Sequence, residues 1–336
     1  MEYEGLGIMS KKSNNKYITV FIPTYNGEKY IVESINSVIN QKLPRGYDLE
    51  ILVTDSGSSD GTVQLIKNNF SNRVTLNEIP NSKYGHGKTR QVAAILAKGE
   101  FILFLSQDAT PLNDRWIINM IEPFFVSDTV GCVFGRQIPR PDSVPTIKRE
   151  VSSVFGQLGS TDSIILHREK SLVDGYRMNT LNTFFSDVNS AVRKDVITKV
   201  PFQDVKYAED QALAADIQNA GYLKAYSPQG SVWHSNEYTV KEFHKRKFDE
   251  FIGLQESVGY KINPSLRSLL LGWIRPTIKD ITFIYHDCDY GLRLKFVYTI
   301  KSVGYNYMSG LGKYHAGKYI NNSSARKINS LEESRK

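Results

Sequence analysis

From residue 17 onward, short apolar runs alternate with stretches whose apolar positions recur every three or four residues. YITVFI (17–22), LEILVTD (49–55), VTLNEIP (74–80) and FILFL (101–105) are runs of the buried-strand kind. Between them, EKYIVESINSVIN sets Ile31, Ile35, Val38 and Ile39 at helical spacing. SSDGTVQLIKNNF opens with Ser59 or Asp60 as a cap and turns Val63, Ile66 and Phe70 to one face. GKTRQVAAILAKG reads as a third helix closed by Gly99, and DRWIINMIEPFF as a fourth. This alternation predicts an α/β fold, a mostly parallel sheet with helices on both faces. The pattern stops near residue 255. PSLRSLLLGWIRPTIKDITFIY and YGLRLKFVYTIKSVGYNYMSGLGKYHAGKYI then read as helices, and the polar INNSSARKINSLEESRK as a disordered tail over 321–336.

In an open α/β sheet, ligands bind outside the carboxyl ends of the strands. Here those ends carry Pro23-Thr24-Tyr25-Asn26, Asp55-Ser56-Gly57 and Ser106-Gln107-Asp108. Together they predict a cleft with two carboxylates and exposed helix N-termini, suited to a nucleotide and its metal. No G-x-x-x-x-G-K-[ST] occurs, and the first βα turn lacks G-x-G-x-x-G, so P-loop and dinucleotide sites are excluded.

The chain has 336 residues, 40% hydrophobic and 23% charged, enough for two domains or for one α/β domain with additions. A net charge of +7 suits an anionic partner: a nucleotide, a nucleic acid or a membrane surface. The two cysteines, Cys132 and Cys288, lack metal-ligand spacing, and a reducing compartment follows. MEYEGLGIMSKKSNNKY has no signal-peptide core, and SLLLGWI is far below the about 18 apolar residues of a membrane span. A cytoplasmic chain is expected, with residues 1–16 flexible.

VFIPTYNGEKYIVESINSVINQ, ILVTDSGSSDGT and FLSQDATP resemble the nucleotide-binding half of family 2 glycosyltransferases with the GT-A fold. More narrowly, YGHGKTRQVAA, GRQIPRPDS, FFSDVNSAVRKD, YAEDQALAADIQNAGY and VWHSNEYTVKEFHKRKFDEFIG resemble bacterial rhamnosyltransferases that build O-antigens and other surface polysaccharides. The resemblance implies a GT-A catalytic domain over 17–253, with a nucleotide-sugar half to about 140 and an acceptor half beyond. A helical extension over 254–320 follows.

The same resemblance assigns the site. Such enzymes usually end the fourth strand in Asp-x-Asp; in register this chain has Ser106-Gln107-Asp108, so only the second carboxylate is present. Asp108 then touches a divalent Mg²⁺ or Mn²⁺ on the donor diphosphate, with His234 of VWHS as a further ligand. Pro23, Thr24, Tyr25 and Gln107 belong to the donor site, and Asp55 accepts from N3–H of a uracil or thymine. Arg90 and Arg246 are candidates for the diphosphate. Of the pair in YAEDQALA, Asp210 is the base that takes the acceptor proton, and Glu209 orients the acceptor or a nearby loop. At a helix start, the dipole favours the ionised form of both.

The implied donor is a nucleotide sugar, dTDP-L-rhamnose ahead of a UDP-hexose. The implied acceptor is a glycan or a polyprenyl-diphosphate-linked oligosaccharide, and nucleic acid is not an expected partner. Asn236 after HS, Asp187 and Gln91 depart from the subgroup's pattern and bear on the choice of sugar. A processive membrane synthase is disfavoured by the lack of spans and of Gln-x-x-Arg-Trp; a non-catalytic nucleotide-binding scaffold is disfavoured by the intact AED and WHS. Past residue 255, Phe296, Ile300, Val303, Tyr307 and Leu311 form a stripe beside Arg293, Lys295, Lys301 and Lys313. Such a helix suits an anionic membrane interface, or packing on the catalytic domain or on a second copy in a homo-oligomer.

Overall fold

The computed structural model describes residues 16–159, 161–167, 184–205, 207–234, 238–286 and 290–334. Expectations about residues 1–15, Asn236 and Cys288 lie outside them. The first half runs β1 (Lys16–Thr24), α1 (Ile31–Ile39), β2 (Tyr47–Asp55), α2 (Thr62–Phe70), β3 (Thr75–Glu78), α3 (His86–Leu96) and β4 (Phe101–Leu105). It continues through β5 (Thr110–Pro111), α4 (Trp116–Val126), β6 (Val130–Ile138) and α5 (Pro145–Gly156).

β1 pairs in parallel with β2 and β4, and β2 with β3. This is the parallel core that the alternation predicts. Side-chain alternation then buries both faces. Ile18, Val20 and Ile22 of β1 pack with α1 and α4, through Ile31, Ile35, Trp116 and Met120. Phe21 of the same strand and Phe104 of β4 join Ala93 and Ala97 on the opposite face. Gly99 does not cap α3, which ends at Leu96. It lies against β1, donates its N–H to Thr19 Oγ1 at 2.9 Å, and a Cβ there would meet Thr19 N at 2.5 Å.

Beyond β4 the sheet is mixed. The second half adds β7 (Ile165–His167), β8 (Asn189–Arg193), α6 (Lys194–Lys199), α7 (Glu209–Asn219) and β9 (Leu223–Trp233). β8 runs antiparallel between β4 and β6, β6 pairs in parallel with β9, and β5 and β7 lie antiparallel to β9. The parallel half and this mixed half meet at β4, so the β4 loop faces residues from both.

α8 (Val240–Val258) leads into the helical extension: α9 (Leu266–Leu271), α10 (Ile274–His286) and α11 (Leu292–Tyr319). A capping box starts α8, with Thr239 Oγ1 accepting from Glu242 N and Thr239 N donating to Glu242 Oε2. Gly259, at φ 70°, ends it. The expected disorder of 321–336 is not found over the described part, which forms α12 (Ser323–Asn329) and α13 (Leu331–Ser334). Asn322 caps the first by accepting from Ala325 N. Leu331 is buried, and its N–H donates to Asp249 Oδ2 at 2.7 Å. One cap and one apolar anchor order a stretch whose average polarity predicts none.

Candidate active site

Three βα loops meet at the carboxyl ends of β1, β2 and β4, and they are tied to one another. Asn26 sits in the left-handed region at φ 47°, and its Oδ1 accepts from Ser59 N at 2.8 Å, joining the first loop to the second. Gln107 joins the first to the third: its Oε1 accepts from Thr24 Oγ1 at 2.6 Å and Tyr25 N at 2.8 Å. Its Nε2 donates to Tyr25 O at 3.0 Å. Gly27 is required beneath it, since a Cβ would meet Gln107 Oε1 at 2.4 Å. The loops enclose a cavity of about 480 Å³ lined by Pro23, Thr24, Tyr25, Ser56, Ser106, Gln107 and Asp108. Asp55 lies behind this wall, buried, with its carboxylate accepting from Gly57 N, Ser58 N and the Ser58 hydroxyl.

Asp108 and His234 face each other across the cavity, Oδ2 to Nε2 at 3.6 Å. Gln137 Oε1 accepts from His234 Nδ1 at 3.0 Å, and Gln137 Nε2 donates to Ser186 Oγ at 3.0 Å. That arrangement fixes the ring so that Nε2 faces Asp108. Burial pushes the Asp108 carboxyl up, but His234 and Arg140 outweigh it and hold the group below its ordinary value. Arg140 also fixes the loop, donating to the Asp108 carbonyl at 3.2 Å and to Thr110 Oγ1 at 2.7 Å.

The opposite wall is acidic. Ala208, left-handed at φ 60°, turns the chain so that Glu209 and Asp210 begin α7 at the cavity. Arg90, buried, holds this group together: Nη1 donates to Glu209 Oε1 at 2.9 Å and to His86 O at 3.1 Å, and Nε stands 3.3 Å from Asp187 Oδ2. Asp187 Oδ1 accepts from Ser190 Oγ at 2.6 Å. Asp210 accepts from Gln211 N at 2.8 Å and Asp187 N at 3.3 Å. Burial first, then Glu209 and Asp187, push the Asp210 carboxyl up to about 8. Burial also raises Asp187, to about 6, against the pull of Arg90. The helix dipole alone would favour ionised carboxylates; desolvation and crowding of three acids win at Asp210.

α8 closes the third side. Arg246 lines the cavity, stacked 4.8 Å from the Tyr207 ring centroid and paired with Glu250 Oε2 at 3.3 Å. Of the sequence-predicted site residues, Pro23, Thr24, Tyr25, Arg90, Gln107, Asp108, Glu209, Asp210, His234 and Arg246 line this one cavity, and Asp55 does not. Gln107 and Arg90 spend their polar atoms on neighbouring protein groups. Gln137, Arg140, His86 and Tyr207 were missed as site residues: each acts through a partner remote in sequence, which no local motif records.

A family model described as glycosyl transferase family 2 matches residues 19–200. The chain belongs to glycosyl transferase family 2. Among its relatives is the O-antigen chain rhamnosyltransferase RfbN of Salmonella typhimurium, 30% identical over 235 residues, 69% of this chain and 70% of the relative. The O-antigen chain rhamnosyltransferase WbaN of Salmonella anatum is also 30% identical, over 236 residues and the same shares. In fold the chain is similar to the mannosyltransferase PcManGT from Pyrobaculum calidifontis, solved in complex with GDP-Man and Mn²⁺. The TM-score is 0.57 at 17% identity, covering 92% of this chain and 88% of that one. This likeness establishes the GT-A fold, with the helical region appended. No helix among the described residues is long and apolar enough to cross a membrane.

Proposed function

We propose that this glycosyltransferase is an inverting rhamnosyltransferase. It moves L-rhamnose from dTDP-L-rhamnose to a glycan or polyprenyl-diphosphate-linked oligosaccharide at the inner face of the cytoplasmic membrane. The observation that supports it most is that Asp108, His234 and Asp210 line one cavity at the strand ends. Thr24, Tyr25 and Ser56 border the space for the nucleoside, and Arg246 serves the diphosphate. The apolar part of the wall, Val151, Val154, Phe155, Phe184 and Phe185, suits a sugar that carries a methyl group in place of a C6 hydroxyl. Two relatives named as rhamnosyltransferases point the same way.

A divalent cation fits the residues present. Asp108 supplies a carboxylate oxygen, and His234 an Nε2 whose tautomer Gln137 sets. Among the described residues no group of three or more His, Cys, Asp or Glu gathers to hold a metal ion, so a cation held by Asp108 and His234 would depend on the donor and water for its other ligands. When bound, the cation neutralises charge on the leaving diphosphate. Asp210 takes the proton of the acceptor hydroxyl as that oxygen bonds to the anomeric carbon. The bond from that carbon to the diphosphate oxygen breaks, and dTDP leaves. Glu209, held by Arg90, keeps Asp210 in position and raises its basicity.

The test is nucleoside diphosphate release, with and without a rhamnan or lipid-linked acceptor, across dTDP-rhamnose, UDP-glucose and UDP-GlcNAc with Mg²⁺ or Mn²⁺. Acceptor-stimulated release of dTDP is expected. Turnover of a UDP-hexose with dTDP-rhamnose ignored would replace the donor assignment.

A further inference from the structure

The helical extension presents a surface that no described part of the chain covers. Large apolar side chains stand exposed on three neighbouring helices: Leu266 and Leu270 on α9, Ile278 on α10, and Leu292, Phe296 and Ile300 on α11. Leu292 is 83% exposed and Phe296 63%, values far from those of a packed helix face. On α11 the stripe Phe296, Ile300, Val303 and Tyr307 lies opposite the buried Ser302, Tyr305 and Asn306. The inner side of the helix is therefore satisfied by the protein, and the outer side is not.

Charge narrows the choice of partner. Arg267, Arg275, Lys279, Arg293 and Lys301 are exposed on these same helices. Among the described residues from 265 to 319, the only carboxylate side chain is Asp280, and it is fully buried. Among the described residues, the exposed charges bordering this apolar face are cations, which matches the headgroup and acyl boundary of an anionic bilayer, with negative charge outside and hydrocarbon beneath. A second copy of the chain would bring the same cations against these, which like-charge repulsion opposes.

Asp280 also shows how such a surface would be joined to the catalytic cavity. It accepts from Thr146 Oγ1 at 2.8 Å and Asn306 Nδ2 at 2.6 Å, and it pairs with Arg149 Nε. One buried carboxylate thus locks α10 and α11 onto α5, whose Ile147, Val151 and Val154 line the cavity.

We infer that the outer face of α9, α10 and the first half of α11 docks the enzyme onto an anionic lipid surface and holds its cavity at a set attitude to it. The inference deepens the proposed function by naming the surface that meets the membrane, and it stands whichever sugar is transferred.

The test uses the full chain with vesicles of phosphatidylcholine alone or with 30 mol% phosphatidylglycerol, in co-sedimentation at low and high salt. Binding is expected only with the anionic vesicles. It should weaken by about threefold or more on raising salt to 0.5 M, because the cations are exposed to screening. The double substitution Phe296→Glu/Ile300→Glu should lower vesicle affinity by about tenfold or more. It should leave nucleotide-sugar binding unchanged, a readout that separates docking from the donor assignment. Arg293→Gln/Lys301→Gln, which leaves Leu292, Phe296 and Ile300 in place, should lose the anionic preference. Absence of binding at low salt, or wild-type binding by the glutamate variant, overturns the inference. So does a dimer in sedimentation velocity that the glutamate variant dissolves, since the face would then belong to a second copy.

Discussion

Asp210 is held in an environment that costs stability in order to make it basic. Its carboxyl is raised from 3.8 to about 8 by burial and by Glu209 and Asp187. A group whose folded pKa lies above its unfolded one costs stability that grows as pH rises through the interval between them, here from about 4 to about 8, and is present in full above it. Asp210→Asn should therefore raise Tm by roughly 2–6 °C at pH 8 and by less at pH 5. The same variant should retain the donor yet lose about 10²–10⁴ in transfer rate, since a general base contributes that much. In the wild type, kcat/KM should climb as pH rises toward about 8, as Asp210 deprotonates. Equal melting shifts at both pH values, or near-normal turnover, would place the base elsewhere. At the metal end, Gln137→Leu removes the acceptor that orients His234. It should weaken metal-dependent donor binding by about 10–100-fold while metal-independent binding of the bare nucleoside is spared. Calorimetric titration with and without Mn²⁺ checks this.

Among the elements, α3 and α7 are bridged by a single guanidinium. Arg90 on α3 holds Glu209 of α7 and Asp187 just before β8, all three buried. Arg90→Met leaves two buried carboxylates uncompensated and should cost about 3–5 kcal/mol in urea unfolding at pH 8. The cost should shrink toward pH 5, where Asp187, raised to about 6 by burial, can take a proton. A pH-independent loss would mean that Arg90 acts by packing alone. The loops after β1 and β4 depend in the same way on Gln107, which supplies three hydrogen bonds between them. Gln107→Ala should weaken donor binding through loop disorder, with exchange of the Tyr25 amide speeding up as the independent sign.

Over the whole molecule, the catalytic α/β unit and its helical extension are fastened by Asp280. Asp280→Ala removes the partner of Arg149 and the acceptor for Thr146 and Asn306. It should cost about 3–5 kcal/mol of stability. Because α5 is one of the elements fastened, donor binding should fall as well, which a purely peripheral extension would not cause. Unchanged donor affinity in a folded Asp280→Ala variant would show that the extension and the cavity are independent.

The alternation of apolar runs determined the parallel half, because strands buried on both faces must be apolar throughout, as Phe101–Leu105 is. Strand ends, and with them Thr24, Tyr25 and Asp108, were legible for the same reason: burial stops where the cavity begins. Helix α11 was legible in the spacing of Phe296, Ile300, Val303 and Tyr307. The tertiary structure alone decided what depends on partners distant along the chain. It put Asp55 behind the wall instead of in it, and it gave Arg90 to an acidic cluster over 100 residues away in sequence. It replaced a mostly parallel sheet with a mixed one past β4, since pairing direction is set by the path of the chain and leaves no periodic trace. It ordered the tail through the Asn322 cap, the Arg326 pair with Glu256 and the buried Leu331, contacts that the polar composition does not record. Local pattern reports what a residue must avoid, which is water or burial; only the assembled fold reports which other residue it meets.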